Sequence, residues 1–335
     1  MKSIAVVILN WNGKKLLEQF LPSVTKYSEE AQIYVADNAS TDDSVEFVRN
    51  NYPEIKIILN KDNYGYAKGY NECLREVEEE YYALVNSDIE VTENWLLPIL
   101  ELFDKNPETA IIQPKILDYK NKALFEYAGA AGGFIDKYGY PFCRGRILHT
   151  IEEDNGQYDD TADIFWASGA CLFIRKEVYR KLHGFDEDFF AHQEEIDLCW
   201  RAFNENYKAK YCSASVVYHV GGATLNTGNP RKTYLNFRNS LLMVIKNIPS
   251  AKLPIVFFLR LLLDGLAGIN YLFHGKFAHT WAIVKAHFKV YTLFYKFLNK
   301  RKSKKYKNYY KVNSIVALYY LKNIRTFGEK FNNSL

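Results

Sequence analysis

Short apolar runs alternating with amphipathic stretches pattern the first 120 residues of the chain. The runs at 4–9, 32–36, 55–59, 82–85 and 110–113 have the length and composition of strands buried on both faces. Between them, residues 14–27 place Leu16, Leu17, Phe20, Leu21 and Val24 on one helical face, and 42–51, 66–79 and 93–105 are also read as helices. This regular alternation predicts an α/β fold with a mostly parallel sheet covered by helices. In open sheets of that kind, ligands bind beyond the carboxyl ends of the strands. The residues there are consistently polar. Asn10, Trp11 and Asn12 follow the first strand, Asp37, Asn38, Ala39 and Ser40 the second, 60–65 the third, and Asn86, Ser87 and Asp88 the fourth. They are expected to converge on one edge.

Beyond residue 120 the pattern changes. Residues 127–145 are glycine-rich and irregular, and the acidic stretch 152–163 reads as an exposed loop. Strands are expected at 165–174 and 209–220, with a helix at 194–206. The opening run 4–9 is too short for a signal-peptide core and is read as the first strand. With 48% hydrophobic and 24% charged residues in 335, the chain is a folded globular protein, which excludes disorder and a disulfide scaffold. Its five cysteines form no CxxC pair and are expected to be core fillers in a reducing compartment.

Charge divides the chain at Pro230. Residues 1–230 hold 23 Lys and Arg against 37 Asp and Glu, whereas 231–335 hold 20 against 2. The net charges, −14 and +18, make up the formal +4. Two parts are expected, 1–230 and 231–335, the second suited to an anionic partner.

Three segments carry candidate chemistry. Around Asp37, Ser40 or Thr41 reads as a helix cap, and Asp42 and Asp43 favour the positive helix end. Asp37 is left over, and a carboxylate there can accept a base-ring N–H. Asp88 and Glu90 follow an apolar strand two residues apart, as oxygen ligands for Mg²⁺ or Mn²⁺ or simply as a strand end with an Asx turn; His219 offers a third ligand. In 189–201, a helix puts Ile196, Cys199, Trp200 and Phe203 on one face and Glu194, Asp197 and Arg201 on the other, with Asp197 and Arg201 placed as an i, i+4 ion pair. Glu195 borders the apolar face. Partial desolvation raises its pKa toward the range of a general base, so it is preferred over Glu194 for that role.

Taken in order, Asn10, Trp11, Asn12 and Gly13, then Asp37 to Ser40, Asn63 to Ala67, Asn86 to Asp88, Ser168 to Ala170, Gly184 to Leu198 and His219 to Gly222 resemble the bacterial family 2 glycosyltransferases. The likeness is to the rhamnosyltransferase-like branch that builds surface polysaccharides, and it runs over about residues 3 to 245. The resemblance implies the A-type glycosyltransferase fold with a UDP- or dTDP-sugar across the carboxyl edge of the sheet. By analogy Asn10, Asp37, Asn38 and Asn63 hold the nucleoside, in a nucleotide site that extends to Trp11, Gly65, Lys68, Asn86 and Ser87. Asp88 stands at the metal-binding end of the family's Asp-X-Asp motif, with His219 or Glu90 completing the shell around Mg²⁺ or Mn²⁺. Trp166, Gly169, Ala170 and His192 line the sugar and acceptor cleft. Two departures stand out: Asn86 replaces the first acid of Asp-X-Asp, and Glu194-Glu195 replaces the usual Glu-Asp. The implied reaction is a single in-line displacement with inversion, Glu195 taking the acceptor's proton. The alternative is a non-catalytic subunit that binds nucleotide sugar or glycan at the membrane.

The C-terminal part is basic and aromatic. Residues 253–273 are long enough to cross a bilayer. Thirteen Leu, Ile, Val and Phe favour insertion by about 5 kcal/mol, but Arg260 and Asp264 each cost roughly 2.5 to 3.5, so spanning is not expected. The pair is expected to bond to itself in a helix that lies in the membrane interface or docks on the first domain. Residues 300–307 hold six basic side chains, each worth about 1 kcal/mol near an anionic surface. These features predict peripheral attachment to the cytoplasmic face of the membrane, which suits a lipid-linked acceptor. No nucleic-acid partner is expected, since no such module is present and the N-terminal part is acidic. A helical hairpin that pairs two copies of the chain is the alternative role.

Overall fold

A computed structural model describes residues 3–221, 228–302, 308–328 and 331. Its first half follows the predicted alternation: β1 (Ile4–Asn10), α1 (Lys14–Lys26), β2 (Ala31–Asp37), α2 (Ser44–Asn51), β3 (Lys56–Leu59), α3 (Gly65–Cys73), β4 (Tyr81–Asn86), the short β5 (Ile89–Val91), α4 (Leu97–Lys105) and β6 (Thr109–Asp118). A small antiparallel sheet follows, made of β7 (Gly133–Ile135), β8 (Pro141–Cys143), β9 (Arg146–Ile147) and β10 (Thr150–Ile151). Then come β11 (Thr161–Ile164), β12 (Cys171–Arg175), α5 (Lys176–Lys181), α6 (Glu194–Asn204) and β13 (Lys208–His219). Among the described residues four named helices follow: α7 (Pro230–Asn247), α8 (Leu253–Phe273), α9 (Phe277–Asn299) and α10 (Ile315–Tyr320).

The main sheet runs in the order β11-β13-β6-β12-β4-β1-β2-β3, with β5 added on β13. β3, β2, β1 and β4 are parallel, as are β6 and β13, but β12 enters antiparallel between β4 and β6. The sheet is therefore mixed. The expected strand at 165–174 begins only at Cys171, and residues 165–170 cross the carboxyl edge instead. The supposedly irregular 127–145 contains β7 and β8. The acidic stretch is not simply exposed either: Asp154 and Asp159 pair with the buried Lys115, and Tyr158 is itself buried.

Alternation along the strands divides the core. Ile4, Val6 and Ile8 pack with Leu17, Leu21 and Val24 of α1, Val48 of α2 and Ile99 and Phe103 of α4. Ala5 and Val7 face the other way, toward Tyr70 and Cys73 of α3, Val178 of α5, Ile196 and Trp200 of α6 and Leu241 to Ile245 of α7. All five cysteines are free and buried, as expected of core fillers.

The C-terminal helices are built inside out. α8 buries Leu253, Val256, Arg260, Asp264 and Gly268 inward and leaves Ile255, Phe258, Leu262, Leu266, Ile269 and Phe273 exposed. The expected Arg260–Asp264 pair does not form. Arg260 donates to Ser240 Oγ at 2.7 Å and Tyr138 O at 3.1 Å and lies over the Tyr140 ring. Asp264 accepts from Tyr140 Oη at 3.4 Å and lies 3.2 Å from His287 Nε2. Of the basic cluster, Lys300 pairs with Asp186 and Asp188 and Arg301 donates to backbone carbonyls of Ile245 and Ile248, while 303–307 lie outside the described residues.

Candidate active site

Parallel register brings the ends of three strands together: Asn10 lies opposite Asp37, and Leu9 opposite Asn86. The buried Asn10 donates from Nδ2 to Asp37 Oδ2 at 2.9 Å and to Ser40 Oγ at 3.2 Å. Asp37 also accepts the Ser40 N–H at 2.8 Å and its hydroxyl at 2.6 Å. This corrects the capping assignment. Asp37 closes the 37–40 turn itself, while α2 begins at Ser44, where neither Ser40 nor Thr41 reaches as a cap; Thr41 N–H goes to Asn12 Oδ1 at 2.7 Å. Asn38 Nδ2 donates to Gly65 O at 2.9 Å, and Asn63 Oδ1 accepts the Gly65 N–H at 3.0 Å. Gly65 has φ +71°, and a Cβ there would lie 2.6 Å from the Phe190 ring, so the position requires glycine. Lys68 Nζ sits 4.1 Å from the centre of the Tyr64 ring, and Trp11 stands 49% exposed at the rim. Within this cluster Asn10 Oδ1 is buried without a hydrogen-bond partner, beside Gly13 in a space that Ser87 also borders.

Asn86 N–H donates to Ala170 O at 2.9 Å, tying β4 to the crossing segment. Two residues on, Asp88 Oδ1 lies 3.2 Å from His219 Nε2, and His219 Nδ1 lies 3.2 Å from Glu126 Oε1. All three side chains are buried. Burial alone would lower the imidazole pKa, but the Glu126 and Asp88 carboxylates override it and push it up to about 10. Glu90 does not join them. In the β5–β13 ladder Ile89 pairs with His219 and Glu90 with Tyr218, so Glu90 lies on the opposite face, where it pairs with Lys122 in a groove bordered by Pro22, Ser23 and Tyr27. Gly222 lies outside the described residues.

A divalent cation here would be held by few protein groups, Asp88 and His219, and would have to displace the proton that the two carboxylates hold on the imidazole. Among the described residues no three ligating side chains surround one cation position. One carboxylate and one imidazole converge, and the far imidazole nitrogen faces a carboxylate, the arrangement by which a metal-binding histidine is fixed in orientation. The other ligands then fall to phosphate and water.

Glu195 begins α6. A Cβ on Gly169 would lie 3.8 Å from Glu195 Cβ and 3.1 Å from Tyr66 Oη, and Tyr66 Oη donates to Gly169 O at 2.6 Å. Gly169 is joined directly to Ala170, which bonds Asn86, so the acid and the metal-side residues border one segment. Burial pushes Glu195 up to about 7. Glu194 is more buried, its Oε2 lacks a partner, and burial together with Glu195 holds its pKa well above the usual carboxylate range. His192, half-buried beside them, is pushed down to about 4 by burial and then by Lys232, so it is neutral at pH 7.

Two assignments change here. Trp166 is 2% exposed, donates to Phe134 O at 2.8 Å and packs flat against Gly133, so it belongs to the core and not to the cleft. The polar face of α6 is also covered. Asp197 makes the expected bond to Arg201, 2.7 Å, but is fully buried and also accepts from Lys246 and Asn247 of α7. Glu126 stands in no motif, and Tyr66, although inside the Asn63 to Ala67 segment, was given no role of its own by sequence.

The family model for Glycosyl transferase family 2 matches residues 5–182. Over 239 residues, 66% of this chain and 77% of the relative, the sequence is 24% identical to the N-acetylglucosaminyl-diphospho-decaprenol L-rhamnosyltransferase of Mycobacterium tuberculosis. Among solved structures it is similar to GalNAc-T7 with UDP, GalNAc and Mn²⁺, with a TM-score of 0.60 and 15% identity, covering 75% of this chain and 49% of that one, about half its length. It is also similar to the mannosyltransferase PcManGT of Pyrobaculum calidifontis in complex with GDP-Man and Mn²⁺, with a TM-score of 0.53 and 14% identity, covering 87% of this chain and 75% of that one. These two likenesses show the fold, the A-type glycosyltransferase sheet, and here it carries a C-terminal helical region.

Proposed function

Because the chain belongs to glycosyltransferase family 2, we propose that it transfers a sugar, with inversion, from a UDP- or dTDP-sugar to a hydroxyl of a glycan or lipid-linked acceptor in bacterial cell-surface polysaccharide biosynthesis. The observation that carries this reading is the placement of Glu195: half-buried, with its pKa raised to about 7, beside the Gly169–Ala170 segment that is bonded to Asn86 at the metal-side end. Asn10, Asp37 and Asn38 form the nucleoside end, and Asp37 keeps acceptor capacity for a base N–H after its bonds within the turn. Asp88 and His219 would hold Mg²⁺ or Mn²⁺, which supplies Lewis-acid neutralisation of the departing diphosphate. Glu195 takes the acceptor proton as the oxygen attacks the anomeric carbon. Burial and the Glu195 carboxylate both disfavour a charge on Glu194. The rhamnosyltransferase of Mycobacterium tuberculosis, whose name gives a decaprenol-linked substrate, supports a lipid-linked acceptor.

Release of nucleoside diphosphate from a panel of UDP- and dTDP-sugars, with Mn²⁺ and a mixed polyprenyl-diphosphate-sugar acceptor panel, tests the reading; a product of inverted anomeric configuration is expected by NMR. Donor binding without turnover on any acceptor is the result expected of a non-catalytic subunit.

On this reading 1–230 is the transferase domain and 231–335 attaches it to the cytoplasmic face of the membrane. The supporting observation is the outward face of α8 and α9, where Phe258, Leu262 and Leu266, 61% exposed, stand with Trp281, Phe288 and Tyr295 while the polar Arg260 and Asp264 turn inward. An apolar face edged by aromatic residues on a basic segment suits the interface of an anionic bilayer. The double substitution Leu262→Glu, Leu266→Glu is expected to abolish co-sedimentation with phosphatidylglycerol vesicles while turnover on a short-chain, water-soluble acceptor stays unchanged. Retained sedimentation overturns this assignment of the face.

A further inference from the structure

We propose that Arg238 and Asn239 of α7 are positioning residues for the base, holding the 188–192 loop in the turn that aims Glu195 at the cleft. The inference rests on the reading of Glu195 as the base and names what sets its place. Asn239 is fully buried, and its Nδ2 points at Phe189 O, Ala191 O and His192 O at 2.9, 2.8 and 2.7 Å. Its Oδ1 accepts from Arg238 Nε at 2.8 Å, which leaves Arg238 Nη2 for Asp188 O at 3.1 Å and Phe189 O at 2.8 Å. The remaining carbonyl, Phe190 O, accepts the N–H groups of Tyr66 and Ala67 at the start of α3, at 2.9 and 3.2 Å. Each carbonyl from 188 to 192 thus meets a donor on α3 or α7.

Such a loop needs that grip. Phe190, His192 and Gln193 have φ of 67°, 71° and 73°, a conformation that non-glycine residues keep only where their surroundings over-determine it. Gln193 O then accepts the Asp197 N–H at 2.9 Å, so the turn leads directly into the first turn of α6 that carries Glu195. The same face of α7 continues the hold. Lys246, seven residues beyond Asn239, donates to Asp186 Oδ2 at 2.7 Å and Asp197 Oδ2 at 2.8 Å. Lys296 of α9 and Lys300 just beyond its end add to the hold on Asp188. A helix outside the segment matched by the family model therefore grips α6 from before its first turn and again within it.

The test uses the full chain with Asn239→Asp, which replaces the amide donors by a carboxylate facing the same three carbonyls, and Arg238→Lys, which keeps the charge but loses the fork. In each, kcat is expected to fall roughly 10²-fold, the cost of about 1 Å of misplacement, with donor Kd unchanged. The acid limb of the kcat profile shifts because the burial of Glu195 changes. Amide exchange at 190–196 accelerates while β1 and β4 stay protected. Asn239→Ser, which restores one donor, recovers part of kcat. If Asn239→Asp fails to fold, Arg238→Lys carries the same readouts. Wild-type kcat and an unmoved acid limb in a folded variant overturn the proposal, as does unchanged exchange at 190–196. Glu195→Gln, measured alongside, separates the two readings: full turnover there removes the base assignment, whereas loss there with full turnover in the α7 variants removes only the positioning role.

Discussion

Glu195→Gln is expected to lower transfer by roughly 10²- to 10⁴-fold, the range of a positioned general base, and to leave donor affinity unchanged. The substitution keeps the shape of the side chain and removes only its ability to take a proton, so a loss in kcat without a change in Kd assigns the role to the chemical step. The pH profile carries the same information. Burial pushes Glu195 up to about 7, against the backbone N–H groups of Glu195 and Gln193, whose hydrogen bonds favour the charged carboxylate. A base works only when deprotonated. Wild-type kcat should therefore decline as pH falls through about 7, and the residual rate of Glu195→Gln should lack that limb. Single-turnover assays from pH 5 to 9 measure both; a variant with full turnover, or a wild type flat through neutrality, sinks the assignment.

How much of this was legible in the sequence depends on where each residue's partners lie along the chain. Asn10, Asp37 and Asn86 end strands marked by unbroken apolar runs, and parallel pairing of adjacent β units brings those ends together with little freedom. The resemblance offered both His219 and Glu90 beside Asp88; the structure brings His219 to it, whereas the parity of Glu90 was not legible. It depends on the register of β5 against β13, more than a hundred residues away, and one residue of slip exchanges the two faces of a strand. Trp166 fails for a similar reason, because the flat surface it packs on is Gly133, in a stretch with no periodic signal. Glu126 lies just before that stretch, and nothing beside it in sequence marks it as the partner of His219.

Helix patterning misled where a third element covers the side expected to be polar. The i, i+4 rule gave Asp197–Arg201 correctly, and α7 then buried the pair and supplied Lys246 and Asn247. The same rule gave Arg260–Asp264 wrongly, since Tyr138, Tyr140, Ser240 and His287 offer each charge a partner on another element. Hydrophobicity alone read α8 as a marginal span; the inward turn of its two charged residues, visible only in the packed structure, is what leaves its other face apolar.

The metal-side assignment yields the second large effect, and it sets Asp88 against Glu90. Asp88→Ala removes the carboxylate oxygen next to His219 and should reduce Mn²⁺-supported transfer by roughly 10²- to 10³-fold, taking Lewis-acid stabilisation as several kcal/mol at about 1.36 kcal/mol per tenfold. Mn²⁺ titration by electron paramagnetic resonance in the presence of UDP should show the corresponding loss of bound ion. Glu126→Gln should weaken Mn²⁺ by about 10- to 100-fold, because the carboxylate facing His219 Nδ1 is lost while Nε2 remains. Glu90→Gln should change neither quantity, since Glu90 lies on the Tyr218 face and pairs with Lys122. The pattern across the three carboxylates is more discriminating than any single loss. A general electrostatic effect of removing acid groups would act through Glu90 as well, whereas ligation and orientation act only through groups within reach of the two imidazole nitrogens. If Glu90→Gln weakens Mn²⁺ as much as Asp88→Ala, the register of β5 against β13 cannot be the one that places His219 beside Asp88, and the metal-side half of the site is wrong.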